Sequence, residues 1–165
     1  MRRFILGIAV VFVLTGCQNQ KPQPQLPPSQ ALQQQAVTPS GQASGNQEYL
    51  AQGVKYLQEA NAPEAVKSLL MAIQSDPQDL QAYLILGQTY MHLNDFDNAA
   101  QTYSAALRVA PDQGEVYYLL AIANGLQGKK EQAVQNAEKS LLIFQKERNE
   151  ENFRRALVLL QGLSQ

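Results

Sequence analysis

The hydrophobic pattern divides the chain into three stretches. Met1, Arg2 and Arg3 precede an unbroken apolar run from Phe4 to Leu14. From Gln18 to about Asn46 apolar residues are scattered, and beyond Asn46 they recur three and four positions apart. That spacing lines up side chains on one face of an α-helix. Tyr83, Leu86, Gly87 and Tyr90 form one such face, and Ala99, Tyr103 and Ala106 form the next. Near the C-terminus Phe153, Ala156, Leu157, Leu160 and Leu163 make an apolar stripe, while Glu150, Glu151, Asn152, Arg154, Arg155 and Gln161 are left for water. This is the division expected of a helix buried on one side. Asn94-Asp95 supplies a turn and an N-cap between the first two faces, and Pro111 stops the second helix because proline cannot continue a helix interior.

The faces repeat with a period of 34 residues. Tyr49, Gly53, Tyr56, Ala65, Leu69, Ala72 and Pro77 align at that offset with Tyr83, Gly87, Tyr90, Ala99, Tyr103, Ala106 and Pro111. In a third, weaker copy Tyr117, Leu120, Ala121 and Ala133 hold their positions, but Asn124, Ala137, Ser140 and Gln145 stand where tyrosine, a bulky residue, alanine and proline stood before. Two helices per copy and a final helix make seven. Gly53, Gly87, Ala65 and Ala99 are small where two backbones must come close, and Pro77 and Pro111 close each copy.

These positions resemble the tetratricopeptide repeat family, whose unit of two antiparallel helices is marked by an aromatic residue, a Leu-Gly pair, a tyrosine, three packing residues and a proline. The second copy matches throughout, with Leu86 before Gly87, and the first departs only at Gln52. The resemblance implies an all-α fold of three tetratricopeptide helical hairpins over residues 46–79, 80–113 and 114–147, with a capping helix over 149–163, in a short right-handed superhelix. It also implies a concave groove, lined by the first helix of each copy, that receives a protein or peptide. At the groove positions stand Leu50, Val54, Leu84, Ile85, Gln88, Met91, Tyr118, Leu119 and Ile122, and no groove position carries Lys or Arg. Members that clamp a terminal carboxylate use Lys, Asn and Arg there, so that activity does not transfer. An apolar groove of this kind fits a hydrophobic peptide or helix, or a second copy in a homodimer.

The first stretch has the layout of an export signal over residues 1–16, and eleven apolar residues are too few for a membrane span of roughly 20. Leu14-Thr15-Gly16-Cys17 resembles the lipobox of bacterial lipoproteins, which implies cleavage before Cys17 and acylation of it. Two or more acyl chains, at about 0.8 kcal/mol per buried methylene, form a stable anchor. Gln18, in place of an aspartate, points to the outer membrane of a two-membrane host, with the domain facing the periplasm. Between residues 18 and 47 lie ten glutamines, five of the eight prolines and one charge, Lys21. Too little burial is available there to offset ordering entropy of about 1 to 2 kcal/mol per residue, so residues 17–45 read as a lipidated cysteine and a disordered spacer before the domain at 46–165.

Charge and chemistry narrow the picture. The formal charge of −1 becomes −3 without Arg2 and Arg3, and no basic stripe exists to release phosphate counterions, which argues against nucleic acid. His92 is the only histidine and lacks a second metal ligand at matching spacing; Asp95 and Asp97 sit where aspartate caps a helix. No phosphate loop, no nucleophile with a base, and so no cofactor or enzymatic role is expected. The function expected is a periplasm-facing scaffold or adaptor lipoprotein, similar in design to those that assist type IV pilus or secretin assembly or organise cell-wall enzymes; a structural envelope lipoprotein or a self-associating helical-repeat protein, without a dedicated client, is the alternative.

Overall fold

The computed structural model describes residues 39–164; Cys17, the segment read as an export leader and most of the stretch read as a spacer lie outside them. The described residues form seven helices and no strand: α1 Pro39–Gln58, α2 Ala62–Ser75, α3 Leu80–His92, α4 Phe96–Val109, α5 Gly114–Leu126, α6 Lys130–Lys146 and α7 Glu150–Leu163. Each helix packs on the next in the chain, most extensively within the pairs α1–α2, α3–α4 and α5–α6. Three stacked hairpins and a closing helix are the expected architecture. One boundary differs. Helix α1 starts at Pro39, inside the stretch read as spacer, and proline is well suited to a first helical position because its missing N–H would go unpaired there in any case.

Inside each hairpin the helices meet at one close seam. A Cβ on Gly53 would lie 2.8 Å from Leu69 Cγ, and one on Gly87 2.7 Å from Tyr103 Cζ. In the third hairpin the equivalent pair is Ala121 and Ala137, both fully buried. A large residue opposite glycine and two alanines are two ways of filling the same gap at close packing. Ala65 and Ala99 are also fully buried, and the central cluster gathers Ala99, Ala100, Tyr103, Ala106, Val116, Leu120 and Ala123. Pro77 and Pro111 are exposed, so their role is to end helices rather than to pack.

The turns divide into two kinds. Between α1 and α2, α3 and α4, α5 and α6, and α6 and α7, a single residue takes the left-handed conformation: Ala60, Asn94 and Arg148 at φ 57°, Gly128 at φ 75°. The next amide then donates to a carbonyl five residues back, as Asn61 to Tyr56 (2.8 Å) and Asn149 to Phe144 (2.9 Å). These bonds satisfy carbonyls that a helix C-terminus leaves unpaired. The other kind contains the prolines. After Pro77, Asp79 caps α3 by accepting from the amides of Gln81 (2.9 Å) and Ala82 (3.4 Å). Asp95 caps α4 by accepting from the Asn98 amide at 3.2 Å, as its place in the sequence suggested. With Gln145 in place of proline, α6 runs 17 residues where α2 and α4 run 14, and α7 begins after the cap Asn149.

Candidate functional site

Helices α1, α3 and α5 present the groove positions, and the structure treats those residues unequally. Leu50 and Val54 line a cleft of about 330 Å³ with Gln47, Ala51, Lys55, Gln58 and Gln81. Ile85 and Gln88 line a second, of about 350 Å³, with Leu57, Ala60, Ala62, Thr89 and His92. Both are lined from α1 and α3: the first runs along α1 to Gln81 at the start of α3, and the second lies between the end of α1, Ala60, Ala62 and the later turns of α3. Four of the nine expected contact residues therefore face open space. Thr89 is almost fully buried and its hydroxyl donates to the Ile85 carbonyl at 2.7 Å, so the second cleft is more apolar than its residue names imply.

Leu84, Met91 and Leu119 are different. They are half-buried and packed against the central cluster around Tyr103 and Leu120, so they help support the groove from beneath. A helical face broad enough to hold six groove positions also overlaps the stripe that must pack inward, and at these three positions the two coincide. Tyr118 is half-buried under α7: the Arg155 guanidinium carbon lies 4.8 Å from the ring centroid. Arg155 also approaches Glu115 at 3.8 Å and donates to Asn152 Oδ1 at 2.8 Å. Ile122 is half-buried on α5.

The sequence reading assigned Arg155 to solvent and so missed this contact. Its signal lies in the caps. Counted from Asp79, Gln113 and Asn149, the fourth residues are Tyr83, Tyr117 and Phe153, the seventh Leu86, Leu120 and Ala156, and the eighth Gly87, Ala121 and Leu157. Helix α7 is thus built as the first helix of a fourth hairpin, which puts Arg155 in register with Ile85 and Leu119. The stripe expected on α7 holds at Ala156, fully buried, but Leu157 is 37% exposed.

Electrostatics leave the site quiet. Burial, helped by the charge of Glu115, pushes the Tyr103 phenol far above its ordinary value, and burial with Asp95 raises that of Tyr90 more modestly. Both stay protonated at neutral pH. Among the described residues no group of three or more His, Cys, Asp or Glu could hold a metal ion, and no helix is long and apolar enough to cross a membrane. His92 is exposed at the end of α3, and Asp95 is engaged as a cap with Asn98. What the arrangement offers chemically is two apolar recesses bordered by amides, with Lys55 as the one ammonium, His92 as the one imidazole and no carboxylate among their linings.

Known proteins of this shape bind peptides. The chain is similar to the TPR2B domain of yeast Sti1 in complex with an Hsp70 peptide, with TM-score 0.67 and 20% identity over 73% of this chain and 97% of that one. It is equally similar to PcrH, known from Pseudomonas aeruginosa, in complex with the chaperone-binding region of PopD: TM-score 0.67, 18% identity, 74% of this chain and 92% of that one. In sequence it is 26% identical over 99 residues to the human Superkiller complex protein 3, covering 60% of this chain but only 6% of that much longer protein. The tetratricopeptide repeat family profile matches residues 50–113 and 90–150. Such domains are typically scaffolds for protein–protein interaction. On the recurring seams, the caps and this match, the chain belongs to the tetratricopeptide repeat family.

Proposed function

We propose that this protein is a lipoprotein adaptor, without enzymatic activity, anchored through Cys17 to the outer membrane and facing the periplasm. Its domain holds an uncharged, apolar segment of a client protein in the furrow between α1 and α3. The observation that carries the reading is the pair of clefts: Leu50, Val54, Leu57 and Ile85 offer apolar contact, Gln47, Gln58, Gln81 and Gln88 border it, and no acidic side chain lines either recess. A carboxylate-bearing tail would find Lys55 and His92 but none of the Lys, Asn and Arg clamp of the chaperone-tail binders. Apolar side chains seated in preformed recesses, with amides bonding to backbone, describe a familiar mode of peptide capture. The Leu14-Thr15-Gly16-Cys17 motif supports the anchor and Gln18 the outer membrane. By analogy with lipoproteins of similar design, the client belongs to a pilus or secretin assembly or to the enzymes that remodel the cell wall.

The test combines the two halves. Wild type and Cys17→Ser are compared by intact mass and membrane fractionation, each with a photocrosslinker at Ile85. Acyl mass and sedimentation that vanish with serine, together with a discrete crosslinked client, are the expected result. An unmodified, soluble wild type removes the anchor from the proposal. Crosslinks that are absent at Ile85 but present at control sites on α4 remove the furrow.

A further inference from the structure

Helix α7 has the register of α1, α3 and α5, but in those helices the face carrying the fourth and eighth residues after the cap is covered by a following antiparallel helix. Tyr83 and Gly87 meet α4 in this way. On α7 no described residue plays that part. Leu157 stays 37% exposed, Val158 beside it 67%, and Phe153 and Leu160 are half-buried. On the adjoining helix α6, Leu142 is 61% exposed. An exposed aliphatic group on each of two adjoining helices marks an interface better than scattered surface leucines do.

We propose that this face takes the α7 of a second copy of the chain, the two helices running antiparallel about a two-fold axis near Val158. Charge favours this occupant. All charged residues of α7 lie in its first two turns, Glu150, Glu151, Arg154 and Arg155, and none lies from Ala156 to Leu163. Antiparallel pairing centred on Val158 sets Arg154 of one copy opposite Gly162 of the other, in the last turn, where unpaired carbonyls and the negative end of the helix dipole attract a cation. Arg154 is free to move there, since its contact with Glu150 at 3.5 Å joins two largely exposed side chains and is of the weak surface kind. A Cβ on Gly162 would meet nothing within 4 Å, which leaves room for the guanidinium. The two-fold axis repeats each contact, so one surface satisfies itself, as isologous dimers require. Two helices of 14 residues bury less than a standard interface, so the dimer is weak and is favoured where copies share a membrane plane. This contact is separate from the α1–α3 furrow and stands or falls independently of it.

The test uses the full chain carrying Cys17→Ser, so that no acyl group or native thiol intervenes. Sedimentation velocity over a concentration series should show a reversible monomer–dimer equilibrium, weakened at least about tenfold by Val158→Arg because a buried, unpaired charge is costly. Val158 is so exposed that the variant keeps its fold, which an unchanged melting curve verifies. Val158→Cys should form an intermolecular disulfide under mild oxidation, and Leu70→Cys, similarly exposed but on α2, should not. A chain that stays monomeric at every concentration overturns the proposal. A dimer that ignores Val158→Arg and leaves Val158→Cys uncrosslinked does so equally, placing the contact elsewhere, such as the furrow. Loss of client crosslinking at Ile85 touches neither result.

Discussion

The two ends of the concave face are made from the same repeat yet filled in opposite ways. Between α1 and α3 the groove positions hold Leu50, Val54 and Ile85 beside glutamines, and two clefts remain open. Between α5 and α7 Arg155 lies over Tyr118 and reaches Glu115, and Leu163 approaches Gly125 so closely that a Cβ there would stand 3.2 Å from Leu163 Cδ2. The backbone scaffold does not decide which end stays open. Side-chain length at a few groove positions does, because short aliphatics leave recesses while a long guanidinium spans the space to the neighbouring helix.

The largest effect expected on this comparison comes from the seam beneath both ends. Gly87→Leu drives its side chain into the Tyr103 ring and should cost about 1 to 3 kcal/mol in denaturant melts, with the recesses lost as α3 shifts. An unchanged melt would show that the seam is not where the helices meet. Next, Ile85→Glu should reduce client crosslinking at the open end by about tenfold or more while the melt stays within about 0.5 kcal/mol, since the side chain faces a recess. Loss of fold instead would make Ile85 a core residue. Tyr103→Phe should stabilise by about 1 kcal/mol, because the buried hydroxyl has no hydrogen-bond partner. The pH profile carries the same information. A phenol whose folded pKa is raised contributes stability that is complete below its ordinary value of 10.0 and is lost as pH rises above it. Stability that falls in alkali for the wild type should therefore fall less for Tyr103→Phe. At the closed end Arg155→Ala should cost about 0.5 to 1 kcal/mol through the lost stacking and leave client capture unchanged. Capture that changes would extend the binding surface to α5. The smallest effect is Ala60→Gly, which relieves a left-handed alanine and should raise stability by about 0.5 kcal/mol.

How far the sequence revealed this asymmetry depends on which physical signal each part leaves. The seams were legible because Gly53, Gly87 and the tyrosines recur at a fixed period, and the cap of α4 because Asn94-Asp95 falls between two helical faces, whereas the Asp79 cap went unread. That Leu84, Met91 and Leu119 also lean on the core was not legible, because groove and core positions adjoin on one helix and composition alone does not say which way a leucine leans. Helix α7 was read as a simple cap because Leu157, Val158, Leu159 and Leu160 follow one another without a polar break, so the stripe has no unique face. The missing proline at Gln145 compounds this: α6 gains length, the α7 register slips by two residues from the 34-residue count, and only its cap residue restores the alignment.

That slip, with Leu157 at the place where the other seams have glycine or alanine, determines how this family of domains could grow. A tandem duplication inserted before α6 would propagate seams that accept a paired helix. One appended after α7 would meet a leucine where two backbones should touch, and the added helix would be held apart from its mate. A single bulky side chain thus sets how closely any helix can approach α7 on this face.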